Sequence, residues 1–320
     1  VKNIHAIILY GLVAVLFVLF FLNQNGSASG QEGASSQDRP RGFFQRSVSS
    51  SQGEDEKEPR VKLFDLPEKL AFAGERVPLD RMDIKERFER EVYVNAFWES
   101  NMLLMMKRSA KYLPTIEKIL AEYNIPEDFK YVAMIESGLQ NVVSPAGARG
   151  FWQFMEGTAK DYGLEVNREV DERYDFEKAT HAACKYLQQS YAKFGKWTSV
   201  AASYNIGQTG LRRRMNDQQQ PDYYELLLNK ETGRYMFRVL AFKEIFEHPE
   251  KYGFHLEEED YYHMPALKTL VIKNTQKDLA EWAIKNGTNY KQLKIYNPWL
   301  RTPKLTVRKG REYHIKLPAD

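Results

Sequence analysis

Between Val61 and His263 apolar residues recur at helical spacing and strand-like alternation is nearly absent, which confines this stretch to a mainly α-helical domain. Over 83–106, Phe88, Val92, Ala96, Leu103 and Met106 fall on one side, with a drift in phase near Glu99. Pro114 is expected to open the next helix, with Ile116, Ile119, Leu120 and Tyr123 on one side. Proline suits a first helical position because its missing N–H has no partner there. Further helices are expected over 176–194, 198–205 and 235–246.

The chain divides by composition. Residues 1–22 carry an uncharged apolar run from Ile4 to Leu22, long enough for a hydrocarbon core of about 30 Å, and are expected to act as a signal anchor. Cleavage as a signal peptide is the alternative, with Gly26-Ser27-Ala28 as the small-residue site. Residues 23–60 are rich in Ser, Gly, Gln and mixed charge, too poor in apolar side chains to order themselves, and read as a linker. The expectation is an exported domain at 61–260, held at a membrane, followed by a small module at 263–320.

The segment "IPEDFKYVAMIESGLQ" carries the chemistry. Pro126 starts a helix, Gly138 follows its end, and Phe129, Val132, Ala133 and Glu136 share one face. A carboxyl on an apolar stripe is either partnered or protonated well above its ordinary range, because desolvation disfavours the charged form. A glycosidic oxygen needs such an acid to depart near neutral pH; a buried Glu in a structural hydrogen bond or ion pair is the plainer alternative. Next, "SPAGARGFWQF" sets small residues around Ser144 and is expected to place Trp152 and Gln153 at a helix start. Gln153 offers both a donor and an acceptor to an acetamido group. "SVAASYNIG" ends a helix with Tyr204 and Asn205, and "NKETGRYMF" presents Tyr235 where another helix begins.

In this order and spacing, "ESG", "GARGFWQF", "SYN" and "ETGRY" resemble the lytic transglycosylases of the soluble-transglycosylase type, membrane-bound transglycosylase D subgroup. The resemblance runs over roughly residues 61–252. It implies a lysozyme-like helical fold and cleavage of the β-1,4 bond between N-acetylmuramic acid and N-acetylglucosamine in peptidoglycan. It further implies Glu136 as the single acid/base, with Ser144, Gln153, Tyr204, Asn205 and Tyr235 lining the cleft, and a 1,6-anhydro product. None of the matched motifs supplies an obvious second carboxylate. Asp171, Glu172 and Asp175 read as helix-start charges and ion pairs. The chain departs from the family at Phe151, Glu156 and Ser203. A Glu156 reaching the cleft would restore a hydrolytic, muramidase-type route; an inactive wall-binding scaffold is the third reading.

Beyond His263 the pattern becomes strand, helix, helix, strand, and "LKIYNPWL" with "YHIKLP" resembles a LysM wall-binding module. The usual Gly-Asp-Thr is replaced by Lys273-Asn274-Thr275, and Tyr296, Asn297 and Trp299 are candidates for sugar contact or for core. A net charge of +3 gives no footprint for nucleic acid. The six histidines show no metal-ligand spacing, so neither a metal nor another cofactor is expected. The single cysteine, Cys184, lies among alanines and reads as a small buried hydrophobe.

Overall fold

The computed structural model describes residues 62–319. The expected anchor at 1–22 and linker at 23–60 lie outside the described residues. Among the described residues no helix is long and apolar enough to cross a membrane.

The described chain opens with a short hairpin, β1 (Leu70–Phe72) and β2 (Glu75–Val77), and continues as eight helices. These are α1 (Met82–Ala96), α2 (Glu99–Glu122), α3 (Lys130–Ser137) and α4 (Glu156–Asp161). They continue with α5 (Phe176–Phe194), α6 (Trp197–Ile206), α7 (Gln208–Gln218) and α8 (Lys230–Glu247). The phase drift near Glu99 is a true break, with Phe97 and Trp98 between α1 and α2.

Pro114 does not open a helix; it lies inside α2. The buried face runs through it, from Met102, Met105 and Met106 to Ile116, Ile119 and Leu120. Packing along this whole face outweighs the one backbone hydrogen bond that proline removes.

Helix α3 is the centre of the domain. A 3-10 turn at Glu127–Phe129 leads into it, and Gly138 ends it in the left-handed conformation, donating its N–H to Met134 O at 2.8 Å. Tyr131 through Ile135 are all buried, so α3 is enclosed on nearly every side rather than along one stripe. It packs against α2 and α8, and α8 packs in turn against α1 and α6. The α1–α8 contact encloses Glu91, which accepts from Arg234 Nε at 2.7 Å.

The C-terminal module pairs β3 (Leu267–Ile272) antiparallel with β4 (Tyr313–Pro318), from Leu267 opposite Pro318 to Ile272 opposite Tyr313. Helices α9 (Leu279–Lys285) and α10 (Tyr290–Tyr296) lie between them in sequence, capped by Asp278 and Asn289. The expected mainly helical domain followed by a strand-helix-helix-strand module is therefore what forms. The module's core of Ile272, Leu279, Leu293, Leu300 and Ile315 also takes in Val170 and Tyr174 from the helical domain. Trp299 is 2% exposed and Asn297 is fully enclosed, its side chain bonding the backbone of Leu293 and Lys316. Both belong to the core.

Candidate active site

Glu136 stands in the last turn of α3, partly exposed, with its carboxyl crowded by protein. From α8, the Tyr235 hydroxyl donates to Glu136 Oε1 at 2.6 Å. Burial pushes the Glu136 carboxyl up to about 7; the Tyr235 hydrogen bond and the positive charge of Arg238 oppose this, and the negative charge of Glu231 adds to it. Burial, then the nearby Glu136 charge, drives the Tyr204 and Tyr235 hydroxyls well above their ordinary range, so both remain donors.

Tyr235 sits in the second turn of α8 rather than at its start, because Asn229 caps the helix by accepting from Thr232 N at 2.8 Å. The extra turn carries Thr232, whose hydroxyl donates to Asn205 Oδ1 at 2.9 Å and so fixes the amide at the end of α6. The Tyr204 hydroxyl donates to Trp152 O at 2.8 Å, joining α6 to the loop before α4.

Trp152 and Gln153 do not begin a helix, which starts only at Glu156. Arg149 and Phe154 exchange backbone hydrogen bonds, folding 149–154 into a tight turn with Gln153 at φ 47°. Gln153 Nε2 donates to Gly150 O at 2.7 Å and to Val142 O at 3.2 Å. Trp152 is fully buried, its indole donating to Thr180 Oγ1 at 2.9 Å. Gly150 requires its residue type twice over: φ is +79°, and a Cβ would fall on the carbonyl oxygen of Arg173.

Gln153, Tyr204 and Asn205 line one groove of about 560 Å³ together with Met155, Tyr162 and Tyr186. A larger cavity of about 1080 Å³ lies by the β1–β2 hairpin and holds none of the motif residues. Size alone therefore does not mark the site. Ser144 is tied to its own loop, its hydroxyl accepting from Ala148 N at 3.0 Å. The structure thus brings Glu136 to Tyr235, and Gln153, Tyr204 and Asn205 to one groove, while Ser144 shapes the neighbouring turn.

The departures from the family pattern are absorbed locally. Phe151 packs edge-on to Tyr112, and Ser203 is buried with its hydroxyl on Val200 O. Glu156 is exposed and paired with Lys160 at 2.7 Å, which holds its carboxyl below the usual range. Asp171 and Glu172 form ion pairs with Arg173 and Lys178, and Asp175 caps α5. Sequence reasoning missed Arg238 and Thr232. Arg238 follows Tyr235 by three residues on the same helix and donates to Ile135 O at 3.4 Å, a spacing that places it beside Glu136. Among the described residues no cluster of His, Cys, Asp and Glu is arranged to hold a metal ion.

Residues 114–227 match the transglycosylase SLT domain family, and residues 268–320 match the soluble lytic transglycosylase C-terminal LysM-like domain. The chain carries an SLT lytic transglycosylase domain followed by a LysM-like domain. It is distantly similar to membrane-bound lytic murein transglycosylase D of Escherichia coli K12, at 27% identity over 196 residues. The same figures hold for the protein of that name in E. coli O6:H1 strain CFT073. These alignments cover 59% of this chain and 43% of each relative, so the chain spans less than half their length. An inactive mutant of the lytic transglycosylase Slt from Pseudomonas aeruginosa is similar at 18% identity and a TM-score of 0.35, over 47% of this chain and 26% of that one.

Proposed function

We propose that this chain is a peptidoglycan lytic transglycosylase that cleaves the β-1,4 bond after N-acetylmuramic acid without water, leaving 1,6-anhydromuramoyl ends. The observation that carries the reading is the Glu136 carboxyl, partly exposed, pushed up to about 7 by burial and bonded at 2.6 Å by a Tyr235 hydroxyl that stays protonated. A carboxyl raised this far keeps its proton closer to neutral pH than an ordinary one, as a general acid requires.

In the first step the Glu136 proton passes to the glycosidic oxygen and the C1–O bond breaks with the electron pair leaving on that oxygen. The carboxylate formed then takes the proton of the sugar's 6-hydroxyl, whose oxygen closes onto C1. Glu136 ends protonated again, and no water is consumed. Tyr235 orients the carboxyl and stabilises its charged form between the steps, while Asn205 and Gln153, which line the groove, would bond sugar amide and hydroxyl groups. Glu156, exposed and paired with Lys160, gives no support to a hydrolytic two-carboxylate scheme.

The apolar run at 4–22 and the relatives' membrane-bound naming support an exported domain on the periplasmic side of a bacterial membrane, tethered by the N-terminal segment. The test is mass spectrometry of muropeptides released from purified peptidoglycan by the chain and by a Glu136→Gln control. Anhydromuramoyl ends that vanish in the control support the proposal. Reducing ends, or no products, refute it.

A further inference from the structure

We propose that the LysM-like module is a working part of the active site, pinning the loop 165–175 so that this loop holds the substrate loop 142–154 in place. The activity half of this inference rests on the function proposed above; the coupling itself rests on geometry.

The module does not hang from the helical domain. Val170 bridges to Leu300, Asp171 N donates to Trp299 O at 2.9 Å, and Arg301 N donates to Glu169 O at 2.7 Å. The loop is thus taken into the module as an extra extended edge. Val170 and Tyr174 are buried in the module's core, with the Arg301 guanidinium 4.2 Å from the Tyr174 ring centre. Around this seam Glu169 accepts from Thr306 N at 2.7 Å and pairs with Lys304 at 2.9 Å, and the Tyr313 hydroxyl donates to Glu165 at 3.1 Å.

The other side of the same loop supports the active site. The Asp171 carboxylate receives Arg173 Nε and Nη2, both at 2.8 Å, in a pair that is 3–4% exposed. Arg173 Nη1 reaches back to Phe154 O at 3.3 Å, and the Arg173 carbonyl is the surface on which Gly150 rests. Asn141 Nδ2 donates to Tyr174 O at 3.0 Å. Asp171 therefore spends its N–H on the module and its carboxylate on the strut beneath the turn that carries Gln153. A buried, bidentate pair of this kind has one arrangement, because loosening either partner strands a charge away from water. A module of about fifty residues also gains by sharing its core, being marginal alone.

The test uses the full chain with Glu165→Ala/Glu169→Ala, which removes seam contacts but leaves Asp171, Arg173 and both cores intact, and with Tyr313→Phe as a milder change. Amide hydrogen exchange is followed in 144–154, 165–175 and α8, alongside kcat and KM on soluble peptidoglycan fragments. Exchange is expected to rise at least about 5-fold in both loops and to stay constant in α8, with kcat falling by a similar factor. Glu165→Gln/Glu169→Gln keeps acceptors for Tyr313 and Thr306 and is expected to restore most of both. Unchanged exchange in 144–154 overturns the inference, as does a kcat equal to that of the parent. A parent chain with no activity refutes the proposed function instead, and the exchange data then still decide whether the loops are coupled.

Discussion

The hydroxyl of Tyr235 and the carboxyl of Glu136 meet at 2.6 Å although they lie on different helices and 99 residues apart. The tyrosine donates, which favours the charged carboxylate, while burial favours the neutral acid; burial wins, and the carboxyl rests at about 7.

Tyr235→Phe removes a donor to the charged form and leaves the burial. The Glu136 carboxyl should then rise further, moving the alkaline limb of the activity profile from near pH 7 to higher pH. Loss of a hydrogen bond to a charged group is worth about 10-fold in kcat/KM. A pH profile of kcat/KM from pH 4 to 9 for both proteins checks this, and a limb that stays put or moves to lower pH contradicts it.

Glu136 also makes stability depend on pH. Its carboxyl binds its proton more tightly folded than unfolded, so stability is intact below the ordinary carboxylate value and falls as pH rises towards about 7. At pH 8 the ionised, crowded carboxylate costs on the order of 2 kcal/mol, given its partial contact with solvent. Glu136→Gln should therefore be neutral at pH 4 and stabilising at pH 8 in urea titrations. Equal stabilisation at both pH values would show that the cost is steric rather than electrostatic.

Thr232→Val deletes the donor that fixes Asn205 and nearly keeps the volume. We expect kcat/KM to fall about 10-fold with the melting temperature within a few degrees, because the Asn205 amide loses its orientation but the fold does not depend on it. Thr232→Ser should recover most of the activity. Serine behaving like valine would mean that the methyl group, not the hydroxyl, matters.

Gly150→Ala should be far more damaging than its size suggests. The new Cβ would sit on the Arg173 carbonyl, and the positive φ adds strain, together on the order of 3 kcal/mol or more. Thermal unfolding measures it. Gly157→Ala, where an added Cβ meets nothing nearby and the glycine is already helical, is the matched control and should change little.

Local physical chemistry was enough to read much of this molecule from its sequence. Helical spacing, Pro126 and Gly138 marked α3 and put Glu136 in its last turn. The strand-helix-helix-strand pattern beyond His263, with "LKIYNPWL" and "YHIKLP", marked the module. The candidate residues Glu136, Gln153, Tyr204, Asn205 and Tyr235 were legible as ordered motifs, because each motif carries its chemistry within a few residues. Boundaries set by neighbours were not. Pro114 looked like a helix start because its own N–H is missing, whereas the packing of α2 on both sides of it decides that the helix continues.

What the sequence by itself determined is therefore the helical class, the elements that carry the motifs, and the presence of a carboxyl in apolar surroundings. Only the tertiary structure decided which partners those groups meet: Tyr235 on Glu136, Thr232 on Asn205, Trp299 inside a core, and Asp171 between Trp299 of the module and Arg173. The reason is physical. Periodicity and capping act within a few residues of the chain, but burial, hydrogen-bond pairing and the carboxyl shift depend on atoms brought together from distant segments, which no local pattern encodes.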